Sequence, residues 1–219
     1  METIGLVPGS FKPYHAGHDG LVAIASREND QVKLFVSLSD RVKPGEFPLY
    51  GDRMREVWQK YIEPGIETTY GNVEVIYVRG GETPVELVYK ELRSNDNRVD
   101  VSYNIYSDVE DIKKYTDRSL TREAPKLFGA GMVNKRGVDR SETVNVSGTA
   151  MRNLLATGQT DKFATLLPRS VRRYAQEIID ILKGPDVTAE ALIRNYVREI
   201  IKLDRNTGMQ TWVCPEKSS

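Results

Sequence analysis

The chain contains two histidines, His15 and His18, and both fall in the segment Gly9-Ser10-Phe11-Lys12-Pro13-Tyr14-His15-Ala16-Gly17-His18. One precedes an expected helix and the other sits in its first turn, so both imidazoles can donate to phosphate oxygens. A helix N-terminus adds unpaired backbone amides and the positive end of a dipole, which makes a phosphate the preferred guest. Gly9 and Gly17 let the backbone approach a ligand closely. Pro13 stiffens the loop. Lys12 is either a phosphate ligand or an ordinary loop lysine. The same His-x-x-His spacing also occurs as a surface accident or as half of a zinc site. Zinc needs further nitrogen or sulfur ligands, and the only cysteine, Cys214, is remote, so no metal held by the protein is expected. A second set of candidates is Ser147-Gly148-Thr149-Ala150-Met151-Arg152. On a helix Thr149 and Arg152 share a face, where a guanidinium can pair with phosphate oxygens.

Strands alternating with helices must position these groups, and the pattern indicates an α/β fold. Thr3 to Pro8 reads as a short apolar strand feeding the Gly9 to Gly17 loop, with His18 to Glu28 as the following helix. Val32 to Ser39 reads as strand two, and Asp40 to Tyr50 as a loop. Gly51 and Asp52 open a helix to about Ile62, and Val73 to Arg79 is strand three. Thr83-Pro84-Val85-Glu86 is a capping box that starts the next helix. Val99 to Tyr106 is strand four, with Ser107 and Asp108 at its end. Thr143 to Val146 reads as a short strand five, and Ser147 begins a helix that stops at Gly158. The expected architecture is an open, mainly parallel, five-stranded Rossmann-like sheet with helices on both faces. Such sheets bind ligands at the carboxyl ends of their strands, where strand order reverses. Residues 1–160 form this expected domain, 161–204 a C-terminal helical extension packed on it, and 205–219 a flexible tail.

Composition narrows the function. The 219 residues include 31 Lys and Arg against 31 Asp and Glu, so net charge is zero. That balance argues against a general nucleic-acid binder. With 39% hydrophobic and 28% charged residues, the profile is that of a folded, soluble protein. No apolar run approaches a membrane span, no secretory signal is visible, and a lone cysteine precludes an intrachain disulfide. A cytoplasmic location is expected. The composition is compatible with a homo-oligomer and does not specify one.

Gly9-Ser10-Phe11-x-Pro13-x-His15-x-Gly17-His18 resembles the G-x-F-x-P-x-H-x-G-H motif of the nucleotidylyltransferase superfamily. Ser147-Gly148-Thr149-Ala150-Met151-Arg152 resembles its second hallmark, Ser-x-Thr-x-x-Arg. Gly51-Asp52-Arg53-Met54 and Leu167-Pro168-Arg169-Ser170-Val171 are similar to segments of archaeal-type nicotinamide-nucleotide adenylyltransferases. The stretch from Asp108 to Asp139 matches nothing in that family, and the loop from Asp40 to Tyr50 lacks the group's usual residues.

The resemblance implies attack by a phosphorylated acceptor on the α-phosphorus of a nucleoside triphosphate, with release of pyrophosphate. It implies that His15 and His18 bind phosphates at the reacting centre, beside Lys12. Ser10 and Phe11 would offer backbone amides, next to Gly9 and Gly17. Ser147, Thr149 and Arg152 would hold the β- and γ-phosphates, with Mg²⁺ arriving on the triphosphate. Arg53 and Lys43 are candidates for the acceptor's phosphate. The trailing Arg152 favours AMP transfer from ATP, and the acceptor favoured by the match is nicotinamide or nicotinate mononucleotide. Alternatives are a cytidylyltransferase using CTP, a phosphopantetheine-type adenylyltransferase, a fragment of a class I aminoacyl-tRNA synthetase and a non-catalytic nucleotide-binding protein.

Overall fold

A computed structural model describes residues 1–78 and 81–184. Its centre is β1 (Glu2–Gly9), whose residues 4–8 are buried because the strand is covered on both faces. Around it lie β2 (Gln31–Val36), β3 (Val73–Tyr77), β4 (Val101–Asp108) and β5 (Val133–Val138), all parallel, in the order β3-β2-β1-β4-β5. Strand order therefore reverses between β1 and β4, and the crevice at their carboxyl ends is where a ligand is expected.

Alternation along the strands sorts their side chains into two cores. Val7, Val32, Leu34 and Val36 face one side, against α1 (Ala16–Glu28), α2 (Gly51–Val57) and α7 (Gly148–Ala156). Ile4, Leu6, Phe35, Tyr103 and Ile105 face the other, against α4 (Pro84–Ser94), α5 (Asp117–Glu123) and α6 (Pro125–Gly129). The sheet is thus α/β and doubly covered, as expected. The Thr83 capping box also forms: Thr83 Oγ1 accepts from the Glu86 amide at 3.2 Å, and Glu86 accepts from the Thr83 amide at 2.6 Å.

The fifth strand is not where the pattern placed it. Thr143 to Val146 is an irregular segment after a 3₁₀ turn at Arg140–Glu142, and the strand is Val133–Val138. As an edge strand β5 exposes Asn134 and Lys135, so it lacks the apolar alternation that marks a covered strand. Thr143-Val144-Asn145-Val146 alternates but has no neighbouring strand to pair with. The unplaced stretch after β4 supplies the crossover to β5 through a 3₁₀ turn at Asp111–Lys114, α5 and α6, burying Leu120 and Leu127.

The helix expected to end near Ile62 continues through a π-helical turn, Trp58–Ile62, into α3 (Glu63–Thr69). Pro64 lies in the first turn of that α segment, a position where its missing N–H costs little. Toward the C-terminus, α8 (Thr160–Leu166) and α9 (Ala175–Lys183) contribute Phe163, Ile178 and Ile179 to the first core. The compact unit that holds the sheet runs from Met1 to Leu182 and so includes the first part of the expected C-terminal extension. The remainder of the expected helical extension, 185–204, and the tail over 205–219 lie outside the described residues.

At the amino ends of the strands, Asn29 ties α1 to β4. Its Nδ2 donates to the Ala25 carbonyl and to Tyr106 Oη, both at 2.8 Å, and its Oδ1 accepts from Asn104 at 2.7 Å. Removing this buried amide leaves polar groups without partners. Asn29→Leu is expected to lower stability by about 2 kcal/mol. Chemical denaturation checks this, and an unchanged midpoint would contradict it.

Candidate active site

The loop from Gly9 to His15 leaves β1 and delivers the backbone to the N-terminus of α1. His15 is the N-cap, in extended conformation, and its Nδ1 accepts from the His18 amide at 3.3 Å. A neutral His15 ring therefore carries its proton on Nε2, which is buried and has no partner among the described residues. The two imidazoles stack with centroids 3.6 Å apart, and His18 packs its ring edge-on to Phe11 at 4.9 Å. His18 Nδ1 is likewise buried without a partner. Burial, with Arg140 nearby, lowers the His15 pKa to about 4. Burial and the neighbouring His15 push that of His18 well below its usual value. Both rings are neutral near pH 7, so each has one N–H to donate.

These rings line a cavity of about 150 Å³ together with Gly17, Asp108, Arg140, Ser147 and Gly148. Ser147 is the N-cap of α7 and accepts from the Ala150 amide at 3.1 Å. A Cβ at Gly17 would stand 2.7 Å from the Val144 carbonyl oxygen, so a side chain there would force the loop and the 143–146 segment apart. A larger cavity, about 440 Å³, is lined by Gly9, Ser10, Lys12, Ser37, Ser39, Arg41, Lys43, Ser107 and Lys114, among others. The loop from β1 walls both cavities, as does the end of β4 through Ser107 and Asp108. Two ligands, one in each cavity, would meet across that loop at the switch point of the sheet.

Lys12 is buried, its Nζ 2.6 Å from Ser39 Oγ, and burial with the Arg41 charge lowers its pKa. Phe11 is buried with φ at 47°, its ring against Gly9, so the side chain packs the loop. Arg152 is buried and fully engaged: it donates to the Lys12 carbonyl at 2.7 Å, to Thr149 Oγ1 at 2.8 Å and to Glu46 Oε2 at 2.9 Å. Thr149 and Arg152 thus hold each other and the first motif, and neither lines either of these two cavities. Arg53 lines neither cavity as well; it lies over the Tyr50 ring and donates to the Leu182 carbonyl at 3.3 Å. Lys43 is exposed at the rim of the larger one.

Sequence reasoning missed two residues here. Arg140 lines the small cavity, and among the described residues its guanidinium makes no hydrogen bond or ion pair. Its place after an unrecognised strand hid it. Glu46, in the loop after β2, binds both Arg41 and Arg152, a contact that no local pattern announces. Among the described residues no group of three His, Cys, Asp or Glu side chains could hold a metal. No helix among them is long and apolar enough to cross a membrane.

The depressed His15 pKa makes a prediction about acid. The folded protein binds this proton only below about pH 4, the unfolded chain near pH 6.5, so the unfolded state holds more protons in between. Stability contributed by the neutral ring is complete above pH 6.5 and is lost as pH falls toward 4, at up to about 1.4 kcal/mol per pH unit. His15→Gln is expected to flatten the denaturation-midpoint profile in that window. A profile as steep as wild type would show that His15 is not the group responsible.

No family model matches the chain, and no curated protein matches it in sequence. Solved structures do match. A candidate nicotinate-nucleotide adenylyltransferase from Vibrio parahaemolyticus is 14% identical with a TM-score of 0.50, the match covering 80% of this chain and 99% of that one. A bifunctional NMN adenylyltransferase/ADP ribose pyrophosphatase from Francisella tularensis is 18% identical with a TM-score of 0.54. That match covers all of this chain, which spans 58% of the Francisella protein. A further structure of that protein, with AMP and a manganese ion, is 16% identical with a TM-score of 0.51, covering 96% of this chain and 58% of that one. The doubly covered parallel sheet of this chain therefore shares its fold with these adenylyltransferase structures.

Proposed function

We propose that the protein is a nucleotidylyltransferase that moves AMP from ATP to a phosphorylated small molecule and releases pyrophosphate. The observation that carries this reading is the stacked pair His15 and His18, with two buried, unpartnered ring nitrogens, in a cavity shared with the N-terminus of α7. Imidazole donors and free helix amides suit a polyphosphate. The fold's neighbours by structure include nicotinate-nucleotide and NMN adenylyltransferases, which supports ATP as donor and a pyridine mononucleotide as acceptor.

The chemistry needs alignment more than a covalent intermediate, because an acceptor phosphate is already an anionic nucleophile. The triphosphate lies along His15, His18, Arg140 and Ser147. The acceptor's phosphate enters the larger cavity, where Lys12, Arg41, Lys43 and Lys114 supply positive charge. Its oxygen attacks the α-phosphorus across the loop, and the bond to the bridging oxygen of pyrophosphate breaks. His18 donates to the α-phosphate as charge builds in the transition state. Mg²⁺ belongs to the triphosphate substrate and keeps waters in its shell.

Pyrophosphate release, measured over a matrix of nucleoside triphosphates and phosphorylated acceptors, tests the proposal. ATP is expected to exceed CTP in kcat/KM by at least about tenfold, a difference of about 1.4 kcal/mol. Equal rates, or a preference for CTP, would assign the chain to cytidylyl transfer. His18→Ala is expected to lower kcat roughly 10²-fold with a smaller change in KM. A folded His18→Ala variant that turns over like wild type would exclude the mechanism.

A further inference from the structure

Glu46 stands between two guanidinium groups from different parts of the chain. Its Oε2 accepts from Arg41 Nε at 3.0 Å and from Arg152 Nε at 2.9 Å, while Oε1 accepts from Arg41 Nη2 at 3.2 Å. We propose that the place filled by this carboxylate is a phosphate subsite walled by Arg41 and Arg152, in which Glu46 is a stand-in displaced by a phosphate group of the substrate. The proposal rests on the polyphosphate reading of the site, in which Arg41 and Arg152 already face phosphate, and adds to it a resident competitor, Glu46, that bridges the two.

Three observations support the exchange. The donors are those that a phosphate takes, since paired guanidinium N–H groups fit the oxygens of phosphate as well as those of carboxylate. Arg152 is buried, and leaving a buried guanidinium without an anionic partner is destabilising. Exchange of Glu46 for another anion therefore costs less than its withdrawal alone. The position is also continuous with the site, because Arg41 lines the larger cavity and Arg152 grips the Lys12 carbonyl between the two motifs.

The loop is built so that Glu46 can leave while the arginines stay. Residues 42–45 are exposed, and Gly45 has a φ of 76°, with open space within 4 Å of where a Cβ would stand. The stem below is fixed: Arg41 and Leu49 exchange backbone hydrogen bonds at 2.7 and 3.0 Å, and Phe47 and Leu49 are buried. Rotation of the Glu46 side chain into solvent frees three N–H donors without moving the Arg41 backbone.

A purely structural ion pair predicts the opposite response to mutation, so anion binding separates the two. Calorimetric titration of the full chain with sodium pyrophosphate and with tripolyphosphate supplies the measurement. A resident competitor lowers apparent affinity by the fraction of sites it occupies. Glu46→Gln keeps the shape and removes the charge, and it is expected to bind pyrophosphate at least about fivefold more tightly than wild type. Its melting temperature is expected to be lower without the anion and to rise further with it. Arg41→Gln is expected to bind at least about fivefold more weakly. A folded Glu46→Gln variant with unchanged or weaker affinity would overturn the proposal. So would an unchanged affinity in Arg41→Gln, which decides the matter if Glu46→Gln fails to fold. Because these titrations need no turnover, they stand apart from the functional reading. If no substrate pair releases pyrophosphate while the affinities shift as expected, the subsite holds and the assigned reaction is wrong.

Discussion

The buried guanidinium of Arg152 joins the two halves of the candidate site. It reaches from α7 across 140 residues of sequence to the Lys12 carbonyl, at the bend of the loop that leaves β1. A charge so placed is tolerated only when its donors are occupied, and here a carbonyl, a hydroxyl and a carboxylate occupy them. The consequence is geometric: the loop carrying His15 and His18 and the N-terminus of α7 cannot shift independently. The close approach at Gly148, where a Cβ would lie 2.9 Å from the Lys12 carbonyl oxygen, reflects the same contact.

What the clamp holds together is set by the sheet. A parallel strand order that reverses between β1 and β4 opens a crevice at their carboxyl ends, and the loops there diverge to opposite sides. The β1 loop and the end of β4 therefore wall two cavities at once. Neutral imidazoles fit this place better than charged ones in the empty protein, because the aromatic packing of Phe11 and Tyr14 excludes the water that a cation would need. A phosphate bound there, as proposed, would supply negative charge that favours protonation.

The parts of this arrangement carried by local chemistry were legible in the sequence. The helix after the first loop, which starts at Ala16 and not at the expected His18, the Thr83 capping box and the central strands follow from adjacent residues. The fold class follows from their alternation. What was not legible depends on tertiary neighbours. The β5 strand is polar because its outer edge faces solvent, and Thr143 to Val146 has the composition of a strand without a partner. The helix expected to end near Ile62 runs on through a π turn into the α segment Glu63–Thr69. Arg152 reads as a phosphate ligand by spacing, but its protein partners come from Lys12 and Glu46, far away in sequence. Arg53 sits at a family-like position, whereas its guanidinium is directed to Tyr50 and Leu182, away from both cavities.

The central claim is that the α-phosphorus of ATP is the atom attacked. Following radiolabel from ATP into products, with nicotinamide or nicotinate mononucleotide as acceptor, tests it most directly. The account predicts that label in the α-phosphate passes to the acceptor as an adenylyl group, while label in the γ-phosphate leaves entirely as pyrophosphate. Label from the γ-phosphate on the acceptor, or released as free orthophosphate, would contradict it.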